Sequence, residues 1–330
     1  MKLLAYSIDS YSNNTFILPM SLCISMDIPN DVHQDQSSQE AFREFTWDDV
    51  NESETDETEM SPDLILHQQY EMGSPLGEGK TSLVYKGFHQ THGEVAIKRF
   101  FPEYAYNASV ELALLRKVNH PTIIHCYDYW QVLTGRFISM ERIDGDLLSL
   151  IGQGMTRYEM KAAINDILSG LEHLHSRGLV HFDLKPENIG YKQTARGKQY
   201  KIIDLGSGYQ LKSEPNFDHL VNSGEIVLTT CYYRPIEAYT LESYQQHNEK
   251  TDIWSLGCII YEMMEGITLF ETSDSISTES NMEELEIGLY RCEEWASREP
   301  YFGEIVKKCV ERDSTKRYNA TQLLDFISHL

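Results

Sequence analysis

From Tyr70 onward, short runs of apolar, β-branched and aromatic residues at 71–76, 82–88, 93–100, 123–132 and 135–141 predict strands. One helical stretch, 106–118, falls between the third and fourth of them. After Gly145 the pattern turns helical. Residues 146–151 read as a helix, and 157–177 place Ala163, Ile164, Ile167, Leu168, Leu171 and Leu174 on one face of a 3.6-residue repeat. Two short strand pairs, near 179–191 and 199–203, come next, and helices resume at 251–265 and beyond. The order predicts a bilobal α+β fold without internal repeats: a small β-rich N-lobe over 70–143 and a larger helical C-lobe over 144–330.

Upstream of Tyr70 the pattern fails. From Asp27 to Asp63 the chain is polar, acidic and rich in Ser, Thr and Gln, so it cannot bury enough apolar surface to offset the entropy of ordering. Residues 1–69 are therefore expected to be a mostly disordered acidic extension, with 14–26 (NNTFILPMSLCIS) apolar enough to dock as a short strand. Charge sharpens this division. The net charge is -23, and residues 1–60 hold 13 acidic side chains against 2 basic ones, about half of the imbalance.

Such a surplus argues against nucleic acid or an anionic membrane as a partner, because both need a basic face, and it favours a basic protein substrate. The 6 cysteines form no C-x-x-C pair and no zinc-spaced cluster, which points to a reducing compartment. No stretch approaches 18 apolar residues, and the apolar start Leu3-Leu4-Ala5 is interrupted by Ser7, Asp9 and Ser10. An intracellular location, cytoplasmic or nuclear, without membrane insertion, is the expectation. Oligomeric state is not legible.

Leu76-Gly77-Glu78-Gly79-Lys80-Thr81-Ser82-Leu83-Val84-Tyr85 is a glycine-rich hairpin, where missing side chains let backbone N–H groups approach phosphate oxygens. Alone it is weak, since two glycines between strands are usually a turn. Val95-Ala96-Ile97-Lys98 follows as an apolar strand carrying one lysine, and Glu111 lies on the next helix, placed to pair with it. Farther on comes His181-Phe182-Asp183-Leu184-Lys185-Pro186-Glu187-Asn188, and then Asp204-Leu205-Gly206.

These last two blocks, in order behind the hairpin and Val-Ala-Ile-Lys, closely resemble the catalytic loop and metal-binding triplet of eukaryotic protein kinases, and the likeness runs over residues 70–330. The resemblance implies transfer of the γ-phosphoryl group of ATP to protein hydroxyls. Asp183 would accept or orient the hydroxyl proton, Asn188 and Asp204 would hold Mg²⁺, and Lys98, fixed by Glu111, would meet the α- and β-phosphates. Lys185, two positions after the aspartate, is the serine/threonine-type pattern and would neutralise charge on the transferred group. Phosphoryl transfer concentrates negative charge on oxygens, and two carboxylates, an amide and lysines around divalent cations are the groups it needs.

The same resemblance makes Met140-Glu141-Arg142-Ile143 the gatekeeper and hinge, with the backbone of Glu141 and Ile143 bonding adenine. Asp146 would meet the ribose, and Leu76, Val84 and Ala96 would roof the adenine, with Gly77, Glu78 and Gly79 over the phosphates. Asp252 would anchor the catalytic loop through its backbone N–H groups, and Glu237 with Arg317 would form a buried ion pair. Thr230 aligns with a threonine that hydrogen-bonds the catalytic aspartate and lysine. His175 and Trp254 read as packing residues.

Three departures stand out. Phe182 replaces the arginine usual beside the catalytic aspartate, removing the cation that grips a phosphorylated activation loop, so activity without loop phosphorylation is expected. Ser82 replaces the third glycine. The segment Thr229–Glu237, with Pro235-Ile236-Glu237 for Ala-Pro-Glu, and the Ser-Gly after Gly206 resemble the cyclin-dependent, Clk-like and dual-specificity tyrosine-regulated branch.

Thr229, Ser223 and Ser213 are candidate regulatory hydroxyls, and Ser53–Glu59 an acidic context for phosphorylation or a pseudosubstrate-like contact. Phe182 and Ser82 are the residues that favour the alternative reading, a pseudokinase scaffold. A kinase-fold enzyme acting on a small molecule is disfavoured by Thr230–Glu237, which resembles a platform for protein substrates.

Overall fold

The computed structural model describes residues 61–211, 230–239, 248–274 and 277–330. The segment 1–60, with the strand expected at 14–26 and the acidic run Ser53–Glu59, lies outside these residues, as do Ser213, Ser223 and Thr229.

Five antiparallel strands form the first sheet: β1 (Tyr70–Glu78), β2 (Ser82–His89), β3 (Gly93–Phe100), β4 (Cys126–Val132) and β5 (Gly135–Glu141), in the spatial order β1-β2-β3-β5-β4. Strand alternation divides β3. Val95 and Ile97 join Tyr70, Trp130 and Phe137 in a buried cluster on one face, while Ala96 and Lys98 point to the other. Tyr70 stacks on Trp130 at 4.7 Å and Trp130 on Phe137 at 5.3 Å, adding aromatic contact to the area they bury. Helix α2 (Ala105–Leu115) fills the place between the third and fourth strands where the sequence put a helix over 106–118.

One element was not foreseen. Residues Pro62–Gln68, inside the stretch expected to be mostly disordered, form helix α1, started by Ser61, whose hydroxyl accepts the Leu64 N–H, and by proline in the first turn. It has no buried residue of its own. Tertiary bonds hold it: Trp130 Nε1 donates to His67 Nδ1 at 2.8 Å, and the Gln131 N–H of β4 to Asp63 Oδ2 at 3.2 Å.

The second lobe opens with the short strand β6 (Gly145–Asp146) and helices α3 (Leu147–Gln153) and α4 (Arg157–Ser176). A Thr156–Glu159 capping box starts α4, and the apolar face read from the sequence is the face it buries. Each Leu or Ile on it contributes about 1.5–3 kcal/mol by leaving water.

The strand pairing differs from expectation. Strand β7 (Leu179–Val180) pairs with β10 (Tyr209–Gln210), while β8 (Ile189–Thr194) and β9 (Gly197–Ile202) form their own hairpin, joined by β6. Helix α5 (Lys250–Glu265) is buried from Thr251 to Met263 and ends on Gly266 at φ 72°, a left-handed cap that favours glycine. Helices α6 (Thr278–Arg298), α7 (Pro300–Cys309) and α8 (Ala320–Ser328) complete the described residues. No helix among them is long and apolar enough to cross a membrane.

Candidate active site

Strand β3 presents Lys98 almost fully buried, and α2 brings Glu111 beneath it: Nζ lies 2.6 Å from Glu111 Oε2 and 2.9 Å from Asp204 Oδ1. Burial favours the neutral amine, but the Asp204 and Glu111 carboxylates outweigh it and hold the lysine above its ordinary value. Burial would likewise raise Asp204, yet the Lys98 charge and hydrogen bond and the Gly206 N–H bring it below the usual carboxylate range. Glu111 goes the other way. With Oε1 buried and unpartnered, desolvation pushes it up to about 7 despite the pull of Lys98. Asp204 sits at φ 59°, left-handed backbone that is uncommon outside glycine, and Gly206 N–H folds back to its Oδ1 at 3.2 Å.

The loop after β7 carries a second cluster. Asp183 Oδ1 accepts the Thr230 N–H at 2.9 Å and the Thr230 hydroxyl at 2.7 Å. Its Oδ2 receives Lys185 Nζ at 2.8 Å, which also reaches Thr230 Oγ1 at 2.9 Å. Asn188 Nδ2 donates to the Asp183 carbonyl at 2.8 Å, which leaves the amide oxygen as the group it can offer a cation.

The loop is fixed from below by Asp252, on α5, whose carboxylate accepts the N–H groups of His181 and Phe182 at 2.9 and 2.8 Å. His175, read from the sequence as packing, instead bonds Asp252 Oδ2 through Nε2 at 2.9 Å. Burial would raise Asp252, but the bonds and charges of the two histidines and the loop amide hold it low. Trp254 does pack, stacked on Phe270 at 5.2 Å. Arg317 grips Glu237 with two nitrogens, at 2.7 and 3.0 Å.

Phe182 is 1% exposed at φ 69° and meets Tyr209 of β10 edge to face at 5.3 Å. The position holds an apolar plug where a charged side chain was missing.

The remaining expected residues lie on β1, β2 and β3 and the turn after β1. Val84 lies opposite both Lys98 and Gly77, and Glu78 opposite Leu83. Gly79 N–H closes the hairpin on Ser82 O at 2.9 Å, and Ser82 itself is buried. Ala96 is buried while Leu76 is half exposed.

At the hinge, the Glu141 N–H bonds His125 O at 2.9 Å, so an adenine contact from Glu141 falls to its carbonyl. Its side chain turns away to Lys201 at 2.8 Å. Ile143 packs where a Cβ on Gly190 would collide with it. Asp146 caps α3, Oδ1 accepting Ser149 N–H at 2.7 Å, a structural duty the sequence did not show beside the ribose expectation.

A divalent cation fits this donor set. Among the described residues no three His, Cys, Asp or Glu side chains form a metal cage. Asp204 and Asn188 are hard oxygen donors of the kind Mg²⁺ takes one or two of from protein, the rest coming from phosphates and water.

A family model described as the protein kinase domain matches residues 70–326. The chain is similar to smooth muscle myosin light chain kinase of Gallus gallus, 25% identical over an alignment of 308 positions that covers 88% of this chain and 15% of that protein. It is similar also to serine/threonine-protein kinase dkf-2 of Caenorhabditis briggsae, 26% identical over 75% of this chain and 20% of the relative, and to serine/threonine-protein kinase dkf-1 of Caenorhabditis elegans, 29% over 76% and 35%. The chain thus spans about a third or less of the length of these relatives. None of the three carries a name from the cyclin-dependent, Clk-like or dual-specificity branch, so the activation-segment likeness to that branch gains no support from them. The matched residues are those that bring Lys98, Glu111 and Asp204 to one side and Asp183, Lys185 and Asn188 to the other, and this chain belongs to the protein kinase domain family.

Proposed function

We propose that residues 70–330, as an N-lobe to 143 and a C-lobe from 144, transfer the γ-phosphoryl group of ATP to serine or threonine hydroxyls of a protein, a basic one by charge balance. The observation that carries this reading is the ring Asp183–Lys185–Thr230. It aims a carboxylate and an ammonium at one point while fixing both, the preorganisation that phosphoryl transfer needs.

Lys98 would steady the α- and β-phosphates, with Glu111 holding its ammonium in place. Asp204 and Asn188 would hold Mg²⁺, which when bound neutralises charge on the phosphate oxygens. Asp183 would orient the attacking hydroxyl and take its proton, and Lys185 would offset charge on the group in transit. Leu76, Val84 and Ala96 would cover adenine, Gly77, Glu78 and Gly79 the phosphates, the Glu141 carbonyl and Ile143 backbone the adenine edge, and Asp146 the ribose.

Activity without activation-loop phosphorylation is part of the proposal, supported by Phe182, which offers no cation to a phosphate. The scaffold alternative rests on Phe182 and Ser82, neither of which belongs to the catalytic set. Labelled ATP incubated with a generic basic protein tests the proposal. Label is expected with the wild type and its loss with Asp183→Asn; equal label in both would refute it.

A further inference from the structure

Helix α2 carries two buried polar side chains one turn apart, Asn107 and Glu111. Residues four apart share a helix face, so both look toward the same neighbours. Glu111 holds Lys98 at 2.6 Å, as described. Asn107 Nδ2 donates to the carbonyl oxygen of Gly206 at 3.4 Å. Gly206 N–H in turn bonds Asp204 Oδ1, and that oxygen faces Lys98 at 2.9 Å. The bonds close a ring: β3 through Lys98, α2 through Glu111 and Asn107, and the Asp-Leu-Gly triplet back to Lys98.

We propose that Asn107 is a positioning residue that couples the seating of α2 to the presentation of Asp204. A buried amide within a helix is costly unless bonded, so an asparagine 8% exposed here calls for a partner, and the triplet carbonyl is that partner. There is little slack between the two parts. A Cβ on Gly206 would lie 3.1 Å from Asp204 Oδ1 and 3.4 Å from Glu111 Oε2. Through Asn107 the helix grips both ends of the Lys98 ion pairs, so moving α2 moves the metal-binding carboxylate. The ring requires no phosphate, which deepens the proposed independence from loop phosphorylation and rests on the kinase reading.

The test uses Asn107→Asp, equal in size but unable to donate when ionised, and Asn107→Leu, similar in volume and without polar atoms. Two quantities are read in the full chain: the Mg²⁺ concentration that half-saturates phosphoryl transfer at fixed ATP, and hydrogen exchange of residues 204–206 without nucleotide. Both variants are expected to raise the Mg²⁺ requirement about tenfold, the usual effect of losing a group that orients a metal ligand, with KM for the protein substrate unchanged and exchange faster.

An unchanged Mg²⁺ requirement together with unchanged exchange in either folded variant overturns the proposal. Should the aspartate variant fail to fold, the leucine variant decides alone. A wild type that transfers no phosphate, yet exchanges residues 204–206 more slowly than the variants, would sink the kinase reading and leave the tie standing.

Discussion

Thr230 gives Asp183 two hydrogen bonds at a single oxygen, its N–H at 2.9 Å and its hydroxyl at 2.7 Å, both to Oδ1. The segment proposed as a platform for a protein substrate and the carboxylate proposed to meet its hydroxyl are therefore tied directly to each other. Thr230→Val removes the hydroxyl and keeps the volume. Losing a hydrogen bond to a charged group costs about 1.5–3 kcal/mol, so kcat should fall by about one to two orders of magnitude, with ATP affinity unchanged. Thr230→Ser should retain most of the rate. Steady-state kinetics of both variants checks this.

A second expectation follows from Glu111. Its folded value, about 7, lies above the unfolded one, so the native state binds a proton the unfolded chain releases. The stability contributed by its protonated form is present below about 4.5 and is lost as pH rises toward 7. Below 7 a neutral Glu111 also deprives Lys98 of one anionic partner. In nucleotide-free enzyme, kcat/KM for ATP should therefore fall on the acid side with a midpoint near 7. Glu111→Gln should be slower and lack that limb.

Arg317 is fully buried and bidentate on Glu237. Arg317→Met would take the two-nitrogen guanidinium contact from the buried Glu237 carboxylate and should cost about 3–5 kcal/mol in denaturant unfolding. Arg317→Met with Glu237→Leu should recover much of the loss, because neither charge is then stranded.

Loop phosphorylation gives a fourth test. With Phe182 buried against Tyr209, treatment with a broad phosphatase should leave the rate of transfer unchanged, as should alanine at Ser213, Ser223 and Thr229 together. Loss of activity in either case, measured with a generic basic substrate, would show that a phosphate is required after all.

The sequence was most legible where chemistry fixes both residue type and order. Asp183, Lys185 and Asn188 lie within six residues, so the loop that joins them could be read directly, and Lys98 with Glu111 stood on an apolar strand and the helical stretch that follows it. The 3.6-residue face of α4 was legible for the same reason. What escaped was held by contacts distant in sequence. His175 meets Asp252 77 positions away, Asn107 meets Gly206 99 away, and β7 pairs with a two-residue strand beyond the β8–β9 hairpin. Helix α1 was invisible because seven residues are too few to hold a helix without tertiary contacts. Ser61 and Pro62 start it, but without the bonds from Trp130 and Gln131 so short a helix would be marginal.

The place of α1 has a practical bearing on where this domain can be cut. Strand β4 is an edge of the five-stranded sheet, and the Asp63 carboxylate occupies the Gln131 N–H there. A chain begun at residue 70, where the family match starts, would keep every residue of the proposed catalytic set and uncover that edge. Open edges recruit strands from neighbouring molecules. Such a truncated chain is expected to be active but prone to self-association, whereas one begun at Ser61 keeps its own edge guard.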